Sequence, residues 1–398
     1  MNSDLSRLQP YPFEKIAILK KGVQPNPELT PLSLSIGEPK HPTPTLILDS
    51  LRESIVEIAS YPGTKGKPEL RKAFADWLIK RFNLPENGVD QETQTLPVNG
   101  TREALFAITQ CLIERKPNAK VLMPNPFYQI YEGAALLAGA EPVYLNCTEE
   151  NGFLPDLDAI DEQTWQDCQL FFMCTPGNPT GTVAPASEIK KLLVLAEKYD
   201  FTIVSDECYS EIYLDESKPP IGLLEVAHSV GNDDYKHCLV FHSLSKRSNA
   251  PGLRSGFVAG NAALIKAFLL YRTYHGGAMP PHTQTTSIVA WGDEKHVEEN
   301  RRLYREKFAA VLEILSPVMD IPTPHASFYL WAKTPIDDVQ FTRDLFEQQN
   351  LNVVPGSYLS CEANGINPGK NRIRLALVAE TQQCIEAAKR IRTFIESL

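Results

Sequence analysis

Apolar positions along the chain follow two rhythms. Short unbroken runs recur near residues 95–98, 120–123, 141–145, 169–173, 201–205, 238–241 and 256–259. Runs of four or five such residues predict strands buried on both faces. Between most of them apolar residues fall three and four apart, as at Ile189, Leu192, Leu193 and Ala196, the spacing of one helix face. Alternating strand and helix predicts an α/β fold: a mainly parallel seven-stranded sheet sandwiched by helices. Only residues 246–255 join the last two runs. That link is too short for a helical crossover and predicts an antiparallel pair. Beyond about residue 290 the rhythm changes. Residues 294–315 predict a long charged amphipathic helix, 328–332 and 373–377 predict strands, and 380–397 predict a closing helix. The expected division is a large domain over 45–290 and a smaller α+β domain from 1–44 and 291–398. The proline-rich stretches 24–44 and 319–324 mark its seams.

Composition narrows the partners. A length of 398 residues allows two domains around a large core. The net charge of −10 argues against nucleic acid. No apolar run nears the roughly 20 residues that cross a membrane. The first residues contain no apolar signal segment. The eight cysteines form no C-x-x-C pair, which predicts free thiols in a cytoplasmic protein and neither disulfides nor a metal site.

Candidate chemistry concentrates in Ser243-Leu-Ser-Lys246-Arg-Ser-Asn-Ala-Pro-Gly-Leu-Arg254. A strand ends, its loop presents a lysine, and an arginine returns eight residues later. A lysine in a pocket can shed its proton and attack a carbonyl carbon. Hydroxyls and a guanidinium beside it suit a phosphate. Together these groups suggest pyridoxal phosphate. Its ring nitrogen needs a facing carboxylate. Asp206 ends the apolar run 201–205, where open α/β sheets bind ligands. Tyr209 stands three residues on. Asn178 follows the run 169–173 in Asn-Pro-Thr-Gly and offers a neutral donor. Gly100-Thr101-Arg102 opens a helix after 95–98, with backbone N–H groups aimed at an anion. Taken singly, each feature has an ordinary reading: a surface lysine, a helix cap, a turn. Neither a dinucleotide fingerprint nor a P-loop is found.

Asn178-Pro-Thr-Gly, Ser205-Asp-Glu-Cys-Tyr209 and Ser243-Leu-Ser-Lys246, in this order and spacing, resemble the class I/II aminotransferases, pyridoxal-phosphate enzymes of fold type I. The resemblance runs from about Leu32 to the C-terminus. It implies that Lys246 is the Schiff-base lysine and Asp206 the partner of the ring nitrogen. Asn178 and Tyr209 would bond the phenolic oxygen. Ser243, Arg254, Gly100, Thr101 and Arg102 would hold the phosphate, and Tyr128 would stack on the ring, with Phe127 as the neighbouring alternative. Asn371-Arg-Ile-Arg374 resembles the segment whose arginine binds the substrate α-carboxylate, and Ser35-Ile-Gly37 the turn that helps it. Tyr61 resembles the tyrosine that reaches a neighbouring subunit's phosphate, implying a homodimer with shared sites.

Leu8-Gln-Pro-Tyr-Pro-Phe-Glu-Lys15 and Leu34-Ser-Ile-Gly-Glu-Pro-Lys-His-Pro-Thr-Pro44 are most similar to bacterial succinyldiaminopimelate aminotransferases of lysine biosynthesis. That likeness implies N-succinyl-LL-2,6-diaminopimelate as amino donor and 2-oxoglutarate as acceptor. An aspartate or broad-specificity aminotransferase is the same-fold alternative. A lyase or decarboxylase with this cofactor would carry nearly the same motifs, since the cofactor carries the chemistry. An aminotransferase-like regulator would need a DNA-binding domain, for which the residues before Leu32 leave no room.

Overall fold

The computed structural model describes all 398 residues. Its first strand is Leu32–Ser33 (β1). Seven strands follow: Thr95–Val98 (β2), Lys120–Asn125 (β3), Glu141–Asn146 (β4), Cys168–Cys174 (β5), Thr202–Asp206 (β6), Cys238–Ser243 (β7) and Gly256–Gly260 (β8). They form one sheet in the order β2-β8-β7-β6-β5-β3-β4. The strands from β7 to β4 run parallel, whereas β8 is antiparallel to both its neighbours. The short link gives the expected antiparallel β7–β8 pair; a helical turn, Leu244–Arg247, and a 3-10 turn, Pro251–Leu253, fill it.

The pleat divides each strand between two cores. Ile203, Val240 and Phe257 face one, with Phe74, Leu78, Ile189 and Leu192 from the covering helices. Val204, Leu239, Phe241 and Val258 face the other, against Leu105, Ile108, Ala135 and Phe268. With both faces covered, the carboxyl ends of the parallel strands remain free to meet ligands.

The rest of the chain builds a second layer. Tyr329–Lys333 (β9), Leu351–Asn352 (β10), Val354–Pro355 (β11) and Arg372–Ala376 (β12) follow the helix Lys295–Leu315. The order β11-β12-β9 makes an antiparallel sheet, and β1 pairs in parallel with β10. Phe308, Val311 and Leu315 pack with Ala387, Ile391 and Phe394 of the closing helix Thr381–Glu396. Leu34 belongs to this cluster; its N–H donates to Asn352 and its carbonyl accepts from Ala376. No helix is long and apolar enough to cross a membrane.

Candidate active site

A cavity of about 630 Å³ opens at the carboxyl ends of β5 and β6, beneath the turn that contains Gly37. All but three of the residues singled out from the sequence line it. Lys246 reaches it from the helical turn after β7. Its amine donates to the Gly37 carbonyl at 2.5 Å and lies 5.4 Å from the centre of the Phe328 ring. Burial pushes the Lys246 ammonium down to about 8, so a fraction of the amine is uncharged near neutrality.

Asp206 ends β6, buried, with burial raising its carboxyl above the usual range. Hydrogen bonds from Cys208 and Tyr131 work against that rise. Tyr131 donates to Oδ2 at 2.8 Å and the Cys208 N–H to Oδ1 at 3.3 Å. No cation pairs with this carboxylate, which suits a protonated ring nitrogen. The Tyr209 hydroxyl lies 3.1 Å from that of Tyr329.

Arg374 enters from β12. It donates to the Asn178 side-chain oxygen at 3.0 Å and to the Ser35 carbonyl at 2.7 Å, and its buried Nε has no partner. With its oxygen taken, Asn178 offers its NH₂ group. Gly37 packs so closely that a Cβ there would meet the Tyr329 hydroxyl.

At the far side the helix Thr101–Leu112 begins. Gly100 precedes it at φ +84°, a conformation that favours glycine, and a side chain there would run into the Arg254 guanidinium. Arg254 is anchored to the carbonyls of Pro251 and Asn99 at 2.9 and 3.1 Å. The Thr101 hydroxyl lies 2.9 Å from the Cys208 sulfur. Arg102 extends over the rings of Tyr11 and Tyr128, 5.2 and 6.0 Å from their centres, with no carboxylate in reach. Helix N–H groups, a guanidinium and glycine clearance form a cradle whose chemistry suits a phosphate.

The three residues off the wall are Gly100, Ser243 and Tyr61. Gly100 backs the cradle just described. Ser243 is buried; its hydroxyl accepts from the Ser245 N–H at 3.0 Å and lies 3.1 Å from the Ser255 carbonyl, while Ser245 lines the cavity. Tyr61 is fully exposed, away from its own chain's cavity, with Val56 and Ile58 exposed nearby. Tyr329, Tyr131 and Tyr11 also line the cavity and escaped the sequence reading, whereas Ser245 is one of the hydroxyls it set beside Lys246. Tyr131 carried a signal: three residues after Tyr128, it shares that helix-start face. Tyr329 looked like one more apolar strand residue.

A lysine, an uncompensated buried carboxylate and an anion cradle suit an aromatic aldehyde with a basic ring nitrogen and a phosphate tail. Comparison with known proteins agrees. The family model for aminotransferase class I and II matches residues 30–391. An LL-diaminopimelate aminotransferase of Maridesulfovibrio salexigens is 32% identical over 97% of this chain and 97% of its own. An aminotransferase of Neisseria meningitidis has a solved structure at 47% identity and TM-score 0.95, covering 99% of this chain and 100% of that one. A probable N-succinyldiaminopimelate aminotransferase of Thermus thermophilus matches at 25% identity and TM-score 0.84, over 96% and 99% of the two chains. The chain therefore belongs to the class I and II aminotransferases, enzymes that move an amino group from a donor to a 2-oxo acid with pyridoxal phosphate as cofactor.

Proposed function

We propose that this aminotransferase takes N-succinyl-LL-2,6-diaminopimelate as donor and 2-oxoglutarate as acceptor, in lysine biosynthesis, as a cytoplasmic homodimer. The charge of the cavity wall carries the reading. Lys246, Arg254, Arg374 and Arg102 line it, against one acid, Asp206. Arg102 has no acidic partner. The remote end of the succinylated donor carries two carboxylates and no ammonium, which such a wall attracts. Free LL-diaminopimelate ends in a carboxylate and an ammonium, and the ammonium would need an acid.

Bound pyridoxal phosphate supplies an electron sink for the charge released at the donor's Cα. The protein's part follows from its own groups. The lysine amine, a fraction of which burial leaves uncharged near neutrality, would carry the proton between the donor's Cα and the cofactor's C4′. Asp206 faces the ring nitrogen. Asn178 and Tyr209 would donate toward the phenolic oxygen, and Tyr128 would cover the ring. Arg254, Ser245 oriented by Ser243, and the N–H groups of Gly100, Thr101 and Arg102 would hold the phosphate, with Tyr61 of a second copy reaching in. Arg374 and Gly37 take the α-carboxylate; a guanidinium grips both oxygens of a planar carboxylate.

A second reading, LL-diaminopimelate itself as donor, is favoured by the name of the Maridesulfovibrio relative. A kcat/KM panel separates them, with succinylated diaminopimelate, LL-diaminopimelate and aspartate each paired with 2-oxoglutarate. The succinylated donor is expected to lead by at least about tenfold, the effect of one retained charge-assisted hydrogen bond. Preference for the free diamine establishes the second reading, and parity with aspartate establishes broad specificity.

A further inference from the structure

We propose that Tyr131 is a positioning residue for the reaction: its hydroxyl holds the Asp206 carboxylate in its charged form and aims it at the ring nitrogen. The inference rests on the reading of Asp206 as the ring nitrogen's partner. Tyr131 is fully buried, in the first turn of the helix Gln129–Ala138. Its ring stacks on Phe172 of β5, centroids 4.3 Å apart and planes 14° from parallel. That stack fixes the hydroxyl 2.8 Å from Asp206 Oδ2. A buried phenolic hydroxyl needs an acceptor and a buried carboxylate needs donors, and each supplies the other's partner here.

The consequence concerns one proton. The ring nitrogen and Asp206 compete for it. Each hydrogen bond donated to the carboxylate lowers its proton affinity and leaves the proton on the ring. Cys208 shares this work with Tyr131, through its thiol and its N–H. Cys174, in register on β5, and Cys208 are thiols that burial keeps protonated. His242 on β7 acts only weakly through space, and so does Lys246. The Cys208 N–H contact is longer, at 3.3 Å. Tyr131 makes the shorter bond, at 2.8 Å, and is the one hydroxyl that donates to this carboxylate.

Tyr131→Phe removes one hydroxyl and keeps the stack. With cofactor bound, the ring nitrogen should then lose much of its positive charge. A proton on the nitrogen of Lys246 is then easier to hold, so the absorbance-against-pH midpoint of the loaded protein should move upward. Turnover should fall about ten- to a hundredfold with KM changed little, the effect of one hydrogen bond to a charged group. Phe172→Leu, which loosens the stack and keeps the hydroxyl, should move the midpoint in the same direction by less. An unchanged midpoint in Tyr131→Phe, with Asp206→Ala nearly inactive, would overturn the role of Tyr131 and leave that of Asp206 standing. Full turnover in Asp206→Ala would overturn both.

Discussion

Arg374 and Asn178 are joined by a 3.0 Å hydrogen bond from guanidinium to amide oxygen. Two residues 196 positions apart in the chain thus act as one unit. The arginine proposed to grip the α-carboxylate would also orient the amide proposed to serve the cofactor's phenolic oxygen.

Arg374→Ala should therefore damage both half-reactions. The expected loss in kcat/KM is about 2–5 kcal/mol for donor and acceptor alike. Arg374→Ala,Asn178→Ala should cost less than the sum of the single variants, with a coupling of about 0.5–3 kcal/mol. Additive losses would show two independent residues.

Lys246 makes a prediction about stability. Its folded-state value is depressed from 10.5 to about 8, so burial of the charged amine destabilises the cofactor-free protein below pH 8. The unfolded chain binds more protons between pH 8 and 10.5, and stability rises with pH across that window. Lys246→Met should stabilise the cofactor-free protein by about 2–3 kcal/mol at pH 7, the gain fading toward pH 10.5. Lys307 shifts in the same direction, so the comparison must be between variant and parent in urea melts. A gain that is constant with pH would contradict the cause given.

Gly100→Ala should weaken cofactor retention, because the new methyl meets the Arg254 guanidinium in a backbone conformation that alanine avoids. The strain is about 1–3 kcal/mol. Dialysis followed by absorbance measures it. Undiminished retention would mean that Arg254 and the helix start do not form the phosphate cradle.

Arg102→Gln should raise KM for the succinylated donor about five- to tenfold, as for one exposed charge-assisted hydrogen bond, and the effect should shrink in high salt. Alanine as donor should be indifferent to the change. Equal effects on both donors would assign Arg102 to the phosphate alone.

Tyr61 is exposed on its own chain, and two copies are expected to bring it to each other's site. Sedimentation should show a dimer at working concentration. Tyr61→Ala should shorten cofactor retention without unfolding the chain. A fully active monomer would refute this.

Much of the fold was legible because its strands are continuous apolar runs, and all seven runs of the large sheet became strands within a residue or two. The two-residue strands β1, β10 and β11 were not legible; they are too short for any rhythm. Lys246, Asp206 and Asn178 could be read because each follows a strand end in a recognisable spacing. Tyr329 could not. It belongs to the site through its hydroxyl contact with Tyr209, 120 residues away, and no local pattern encodes that. Nor could sequence tell that Ser245, not Ser243, meets the cavity. That choice depends on which hydroxyl the helical turn buries.

Ser35 near one end of the chain accepts a hydrogen bond from Arg374 near the other. During synthesis the cofactor-binding strands emerge early, yet the substrate clamp cannot close until the final sheet strand has been made. The proposed clamp thus ties the residues just after the chain's first strand to the last strand of the smaller sheet, and a substitution at either end should disturb the same carboxylate site.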